Sequence, residues 1–214
     1  PDGVAVTSGT TVLEVEGSAG HVLTAERTAL NVLQRLIGVA TLTRRFVDAI
    51  QGTNARITDT RKTTPGMRVM QKEAVVAGGG SNHRFGLDSG ILIKENHIRG
   101  CGSLTAAVQR ARAHSPHSLR IEVEVTSLVE LEEALDAGAD IIMLDNMTTA
   151  QMAEAVGITR RRTRPVLLEA SGNLSLERVR EVADVGVDLL SVGALTHSAR
   201  AADLSLLFDA AEEG

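Results

Sequence analysis

Hydrophobic and polar positions follow two different rhythms along this chain. From residue 55 onward, short apolar runs recur with stretches of helical spacing between them. Candidate strands fall at 55–60, 90–94, 120–125, 140–144, 165–169 and 187–192, and helical patterns at 66–77, 103–113, 128–137, 148–156 and 175–184. Runs such as Ile141-Ile142-Met143-Leu144 and Val166-Leu167-Leu168 suit strands covered on both faces. Strands alternating with helices predict an α/β fold with a parallel sheet, open or closed into a barrel. Six strands fall short of a complete (β/α)8 barrel. Ala137-Gly138-Ala139-Asp140 and Val185-Gly186-Val187-Asp188 echo one another, each placing Gly at a helix end before the next strand.

The upstream rhythm differs. Residues 1–20 read as short extended pieces: Gly3 to Val6, a turn at Ser8-Gly9, then clean alternation from Thr11 to Glu16. They are expected to form the edge of a small β-containing unit that opens in mid-pattern at Pro1. Thr24 is expected to cap a long helix, with Leu30, Leu33, Ile37, Ala40 and Val47 on its apolar face. Arg27 then falls in the first turn, where the helix dipole disfavours a cation, so it suits an external anion better than the helix.

Composition narrows the classes. The 214 residues, 43% of them hydrophobic, can bury one substantial core. A net charge of −5 and an aromatic share of 1% argue against a nucleic-acid surface built on stacking. The single cysteine, Cys101, excludes an internal disulfide and fits a reducing compartment. No apolar run reaches the length of a membrane span and no signal pattern opens the chain, so a cytoplasmic location without a membrane partner is expected.

In parallel α/β folds the site forms at the carboxyl ends of the strands. Those ends are rich in chemistry. The first gives Asp59-Thr60-Arg61-Lys62, running into Thr63-Thr64-Pro65-Gly66, with Pro65 placed to open a helix. The second gives Lys94-Glu95-Asn96-His97, preceded by Gly78-Gly79-Gly80-Ser81-Asn82-His83-Arg84. The later ends give Glu122-Val123-Glu124, Asp145-Asn146, Glu169-Ala170-Ser171-Gly172-Asn173 and Ser191-Val192-Gly193-Ala194. Arg61, Arg84 and Lys94, with Lys62 and His83, make a cationic pocket for a ligand with several negative charges. Glu124 and Asp145 form a separate acidic pair suited to ribose hydroxyls or to a Mg²⁺ bridging phosphate oxygens. The 171–173 and 193–194 stretches offer backbone N–H groups to a phosphate. Together these predict a phosphorylated sugar meeting a small acid.

Other features carry less. His83, His97 and His197 lack the short spacing of a zinc site. The glycines at 78–80 follow a helix rather than a strand, so they are no dinucleotide fingerprint and instead permit a tight or mobile loop. Arg160-Arg161-Arg162 and Arg164 lie before the fifth strand, on the opposite rim, as a solvated connector.

The chain resembles the quinolinate phosphoribosyltransferase family, also called carboxylating nicotinate-nucleotide pyrophosphorylase. The resemblance rests on Leu23–Asn31, Asp59–Gly66, Gly78–Arg84, Leu92–Ile98, Glu122–Val125, Ile142–Asn146, Glu169–Asn173 and Ser191–His197. It implies an incomplete barrel over 23–200, the last part of an N-terminal sandwich domain over 1–22, and a segment over 201–214 packing back on that domain. It also implies a pentosyltransferase of NAD biosynthesis that moves phosphoribose from phosphoribosyl pyrophosphate to quinolinate, with Mg²⁺ as cofactor. Catalytic roles would fall to Lys62, Lys94, Glu124 and Asp145. Thr60, Arg61, His83, Arg84 and Lys94 would hold quinolinate, joined by Arg27 from the partner subunit of a homodimer. Lys62, Glu124, Asp145, Asn146, Ser171, Gly172, Asn173, Val192, Gly193, Ala194 and His197 would hold the sugar substrate, with Glu124 and Asp145 also facing the metal. A homologue associated with molybdenum transport, or a non-catalytic ligand-binding or assembly partner, are the alternatives.

Overall fold

The apolar run over 141–145 lies inside a six-stranded, wholly parallel sheet, as its two-sided hydrophobicity requires. The computed structural model describes residues 2–209. In chain order the elements are α1 (Ala19–Ala49), β1 (Arg56–Thr58), α2 (Arg68–Ala77), β2 (Ile91–Ile93), α3 (Glu95–Cys101), α4 (Leu104–His114), β3 (Ile121–Val125), α5 (Leu128–Ala137), β4 (Ile141–Asp145), α6 (Thr149–Arg160), β5 (Leu167–Ser171), α7 (Leu176–Asp184), β6 (Leu189–Ser191) and α8 (Ala194–His197). All six predicted strands form, in the order β1-β6-β5-β4-β3-β2. Between β1 and β2 the curve stays open, and a parallel bridge from Thr58 to Ser81 takes up part of that gap.

Side chains alternate across the strands. One parity, including Ile57, Ile93, Val123, Ile142, Leu144, Leu168 and Leu190, is buried in the core beneath the helices. The other parity lines the concave side and carries the polar residues. Ser103 and Ser127 cap α4 and α5 by accepting from Ala106 N and Glu130 N, and Thr148 caps α6 with Gln151 in a reciprocal box.

The two sequence echoes are one structural device used twice. Asp140 accepts Ile121 N at 2.8 Å and is paired by Arg112, which also bonds Gly138 O. Asp188 accepts Leu168 N at 2.8 Å and is paired by Arg160, which also bonds Gly186 O. Each carboxylate ties its own strand's entry to the preceding strand and helix. Three of the four arginines expected to be a solvated connector are therefore stitches: Arg160 holds Asp188, Arg162 holds Asp136, and Arg164 holds Asp140.

Several expectations need correction. The long helix starts at Ala19 after Ser18, not at Thr24, whose hydroxyl instead donates back to Gly20 O at 2.7 Å. Arg27 is therefore not in the first turn, and the dipole argument for it falls. The buried residues of α1 are Leu30, Gly38, Val39, Thr43 and Phe46; Leu33, Ile37, Ala40 and Val47 flank them only partly covered. The turn at Ser8-Gly9 forms, with Thr10 N donating to Thr7 O, but Gly3–Val6 and Thr11–Glu16 are not strands. No described strand runs beside them to complete a ladder. Pro65 sits in a turn ahead of α2, which begins at Arg68. Short α3 was not anticipated, since Glu95-Asn96-His97 carries no apolar period.

The glycines at 78–80 make a tight loop. A Cβ on Gly78 would lie 2.5 Å from Ala40 O, and one on Gly80 would lie 2.8 Å from Thr43 Cγ2, so α1 packs directly on this backbone. The described part of the 201–214 segment runs along α1, with Ala202 N donating to Gln34 O and Gln34 Nε2 to Leu204 O. Pro1 and residues 210–214 lie outside the described residues. Among the described residues no helix is long and apolar enough to cross a membrane.

Candidate functional site

The concave parity builds the site in layers. Register pairs Asp145 with Ser171 and Ser171 with Ser191, so these strand ends share one face. Glu122 and Glu124 share that face on β3, with Met143 and Glu169 beside them on β4 and β5. Lys94, just beyond β2, forms an ion pair with Glu124. The expected separation of cationic pocket from acidic pair is therefore not observed, because Lys94 joins the two.

Helix α2 holds both cation-bearing loops. Arg68 and Lys72 stand one turn apart on one face. Arg68 donates to Thr63 Oγ1, Arg61 O and Phe85 O. Lys72 is buried; its Nζ lies 2.5 Å from Asp59 Oδ1 and 2.9 Å from His83 O. Asp59 Oδ1 also accepts His83 N at 2.8 Å, and Asn82, with its amide nitrogen turned inward, donates to Asp59 Oδ2 at 2.7 Å. Gln71, wholly buried, bonds Thr64 twice and Thr196 O. The Asp59–Gly66 and Asn82–Arg84 loops are thus fixed before any ligand arrives.

On these loops Arg61 and Arg84 lie close enough for their charges to repel. Burial first, then the Arg61 charge, pulls the Arg84 guanidinium below its ordinary range. The Nε atoms of both are buried without a hydrogen-bond partner among the described residues, although Arg84 Nη1 donates to Gly90 O. Two like charges with unused donors define a place for an anion. His83 turns its Nε2 the other way, 3.0 Å from Glu122 Oε2 and 3.6 Å from Glu169 Oε1. Thr60 Oγ1 accepts Lys62 N at 3.0 Å.

The opposite side of the mouth is backbone-rich. Asp145, Asn146, Gly172 and Asn173 are knit together: Asn146 Nδ2 donates to Asp145 Oδ2, Asn146 N to Ser171 O, and Asn173 Nδ2 to Asn146 Oδ1. Asn146 and Asn173 both take positive φ, 54° and 50°. Gly172 has φ 92°, and a Cβ there would lie 2.2 Å from Asn146 Oδ1, so only glycine fits. Gly193 is flanked by Lys62 and His197, since a Cβ on it would meet Lys62 Cδ at 3.3 Å and His197 Nε2 at 3.1 Å. Thr196 Oγ1 donates to Lys62 O, and Val192 N to Thr58 O, drawing the Val192–Ala194 turn against the first loop. Lys62 therefore reaches the backbone-rich side of the mouth.

The sequence profile of the quinolinate phosphoribosyl transferase C-terminal domain matches residues 39–207, and that of the N-terminal domain residues 1–37. The chain belongs to the quinolinate phosphoribosyltransferase family. It is similar to a probable nicotinate-nucleotide pyrophosphorylase [carboxylating] of Synechocystis sp., 46% identical over 205 residues, covering 96% of this chain and 70% of the relative. It is similar to the nicotinate-nucleotide pyrophosphorylase [carboxylating] of Mycobacterium leprae, 48% identical, covering 96% of this chain and 72% of that one. The crystal structure of NadC from Streptococcus pyogenes superposes with a TM-score of 0.89 at 45% identity, covering 95% of this chain and 70% of the other.

Within that family frame most expected residues gather at one mouth. Arg27 does not: its side chain is 71% exposed on α1, with Glu26 beside it at 3.9 Å. Three buried residues were missed as contributors, Lys72, Glu122 and Glu169. For the glutamates a signal existed, because Glu122 stands two positions from Glu124 on the same strand face and Glu169 interrupts an apolar run.

Proposed function

We propose that this chain transfers phosphoribose from phosphoribosyl pyrophosphate to quinolinate with loss of CO2, giving nicotinate mononucleotide and pyrophosphate for NAD biosynthesis. The observation that carries the reading is the pair of neighbouring guanidiniums, Arg61 and Arg84, each with a buried donor that no described residue uses. A planar aromatic diacid has the charge and the acceptors to use them. The pyrophosphorylase names of relatives at 46% and 48% identity support it. None of the relatives named above supports the molybdenum-associated alternative.

The chemistry follows from positioning and charge. Arg61, Arg84, His83 and Thr60 hold the two carboxylates of quinolinate and fix the ring nitrogen. Lys62 beside Gly193 meets the pyrophosphate, and the Ser171–Asn173 and Val192–Ala194 turns hold the sugar's phosphate with backbone N–H groups. The ring nitrogen bonds to the anomeric carbon as its bond to pyrophosphate breaks, and Glu124 and Asp145 stabilise the positive charge that develops on ribose. The ring, now cationic, accepts the electron pair released when CO2 leaves, and the same carbon then takes a proton. Lys94, paired with Glu124, bridges the acid and sugar sides.

Glu124 and Asp145 offer hard oxygen donors at the mouth, the ligand type that Mg²⁺ prefers, so these residues fit the ion. When bound, Mg²⁺ would neutralise charge on pyrophosphate. A homodimer with Arg27 delivered to the partner's site belongs to the same reading. Its support is an apolar groove beside Leu13 along α1, lined by Ala25, Ala29, Val32, Leu33 and Leu36, on the exposed half of the helix that also bears Arg27. A cytoplasmic location is also part of the reading.

Calorimetric titration with quinolinate tests it. Binding in the micromolar range by the parent chain, lost in Arg84→Ala with the fold intact, is expected. Release of CO2 and pyrophosphate on adding phosphoribosyl pyrophosphate and Mg²⁺ should follow. A folded chain that binds no quinolinate and releases neither product would overturn the assignment.

A further inference from the structure

Inside the sheet, below the mouth, two glutamates occupy positions that barrels of this kind usually fill with apolar side chains. Glu122 is 4% exposed and Glu169 is 1% exposed. Their concave-side neighbours include Leu92, Ile141 and Met143, which offer no charge. His83 is the group that answers them, reaching in from its loop with Nε2 at 3.0 Å from one carboxylate and 3.6 Å from the other. One atom from each of the three groups lies within 4.8 Å of the others.

The charges do not balance if all three groups ionise. Two carboxylates face a single imidazolium in a place largely shielded from water, and like charges at that range cannot both persist cheaply. Hydrogen bonding points the same way: Glu122 Oε1 and Glu169 Oε1 are buried with no partner among the described residues. A proton on Glu169 removes the surplus charge and supplies the missing donor. Meanwhile His83 Nε2 is committed to the carboxylates, and its Nδ1 makes no hydrogen bond among the described residues.

We propose that Glu122 and Glu169 are positioning residues that keep His83 an imidazolium with its Nδ1–H free for a ligand carboxylate, and that Glu169 takes up a proton as the dianionic acid binds. This rests on the reading of the site as a quinolinate pocket. The direction follows from electrostatics. A dianion arriving beside Arg61, Arg84 and His83 favours the imidazolium and disfavours a second ionised carboxylate behind it, so protonation of Glu169 and ligand binding reinforce each other.

The groups that set this balance can be named. His83 faces Glu122 from β3 and Glu169 from β5, with Arg84 next to it in the chain; Lys72 of α2 and Asp59 beyond β1 bond its backbone. Glu169 faces Glu122, His83 and the Ser191 hydroxyl of β6. Burial, and next the Glu122 charge, push the Glu169 carboxyl up to about 7. Burial pulls His83 down, but the Glu122 hydrogen bond and the two carboxylate charges outweigh it and leave the imidazole raised. Glu169 is therefore poised near neutral pH.

The test is titration of quinolinate into the full chain near pH 7, in two buffers of different ionisation enthalpy. The parent chain should take up a fraction of a proton per ligand, and its affinity should weaken as pH rises through 7. Glu169→Gln keeps the shape and removes the charge; it should bind with no proton uptake and a flat pH profile. Uptake by the parent that persists unchanged in Glu169→Gln, or binding by the parent with no uptake, would overturn the proposal. A second measurement needs no ligand: by NMR, His83 should titrate above free imidazole, and Glu122→Gln should lower it. An ordinary or depressed His83 would overturn the proposal even if quinolinate failed to bind, a failure that would instead count against the functional reading. One equivalent of zinc in the purified chain, lost in Glu169→Gln, would also overturn it by assigning the trio to a metal.

Discussion

Lys72 Nζ and Asp59 Oδ1 meet at 2.5 Å with both side chains almost wholly buried. Neither residue needs to touch a ligand. Their contact joins the middle of α2 to the end of β1, and through His83 N and O it fixes the loop that carries His83 and Arg84.

Lys72→Met should therefore strip the site of order as well as stability. It leaves the Asp59 charge without its cation inside the protein, a change that costs about 3–5 kcal/mol for buried pairs. Burial already raises the Asp59 carboxyl above its ordinary value against the opposing pull of Lys72, so without Lys72 it protonates more readily and offsets part of that cost. Urea unfolding should show the loss, and quinolinate affinity should fall in whatever fraction stays folded. An unchanged midpoint would mean that the pair is dispensable.

Asp140 should make the fold sensitive to acid. Burial opposes its ionisation, but the Ile121 N–H, Arg112 and Arg164 together win and hold its carboxyl below the ordinary 3.8. A depressed carboxyl contributes stability that is present above its unfolded value and lost as pH falls through the folded one. Asp140→Asn keeps an acceptor for Ile121 N yet loses both ion pairs. Its deficit against the parent, followed by thermal melts, should be full at pH 7 and fade below about pH 4. A deficit independent of pH would refute the electrostatic account.

Glu169 should act with the opposite sign. Its carboxyl is raised to about 7 by burial and the Glu122 charge, so its contribution is intact below the unfolded value near 4.5 and declines as pH rises toward 7. Glu169→Gln should then melt above the parent at pH 8 and converge with it near pH 4. The parent melting higher at pH 8 would show that the ionised carboxylate is stabilising there.

Gly172→Ala should damage the phosphate side without touching the acid side. The left-handed φ costs an alanine about 1 kcal/mol or more, and its methyl would drive Asn146 from Asp145. The Michaelis constant for phosphoribosyl pyrophosphate should rise several-fold while quinolinate affinity holds. Equal losses for both substrates would indicate a general loosening of the fold.

What the sequence revealed depended on how local each signal was. Strands such as Ile141–Asp145 were legible because burial on both faces writes a continuous apolar run. Strand ends then pointed to Arg61, Lys94 and Asp145, since parallel topology sends all such ends to one rim, while Arg84 came from the glycine loop ahead of β2. The start of α1 was not legible: Ser18 and Thr24 are both plausible caps by type, and the helix begins after Ser18 without a capping hydrogen bond to its hydroxyl. Thr11–Glu16 alternates as a strand does, yet a strand also needs a neighbour, which its own residues cannot supply. Lys72 sits mid-helix among ordinary polar residues, and its burial arises from partners 13 and 11 positions away, Asp59 and His83.

Helix α1 runs unbroken through 31 residues, about 46 Å at 1.5 Å per residue. Its far half is anchored by Val39, Thr43 and Phe46, with Thr43 seated on Gly78 and Gly80, while most of its first turns, Arg27 included, are exposed. This is a lever arm with its fulcrum at a glycine loop. Arg27 lies about 24 Å from Thr43 along the axis, so a tilt of about 5° at the fulcrum would swing it by about 2 Å. The absent methyl groups at residues 78 and 80 therefore set where a distant arginine can land.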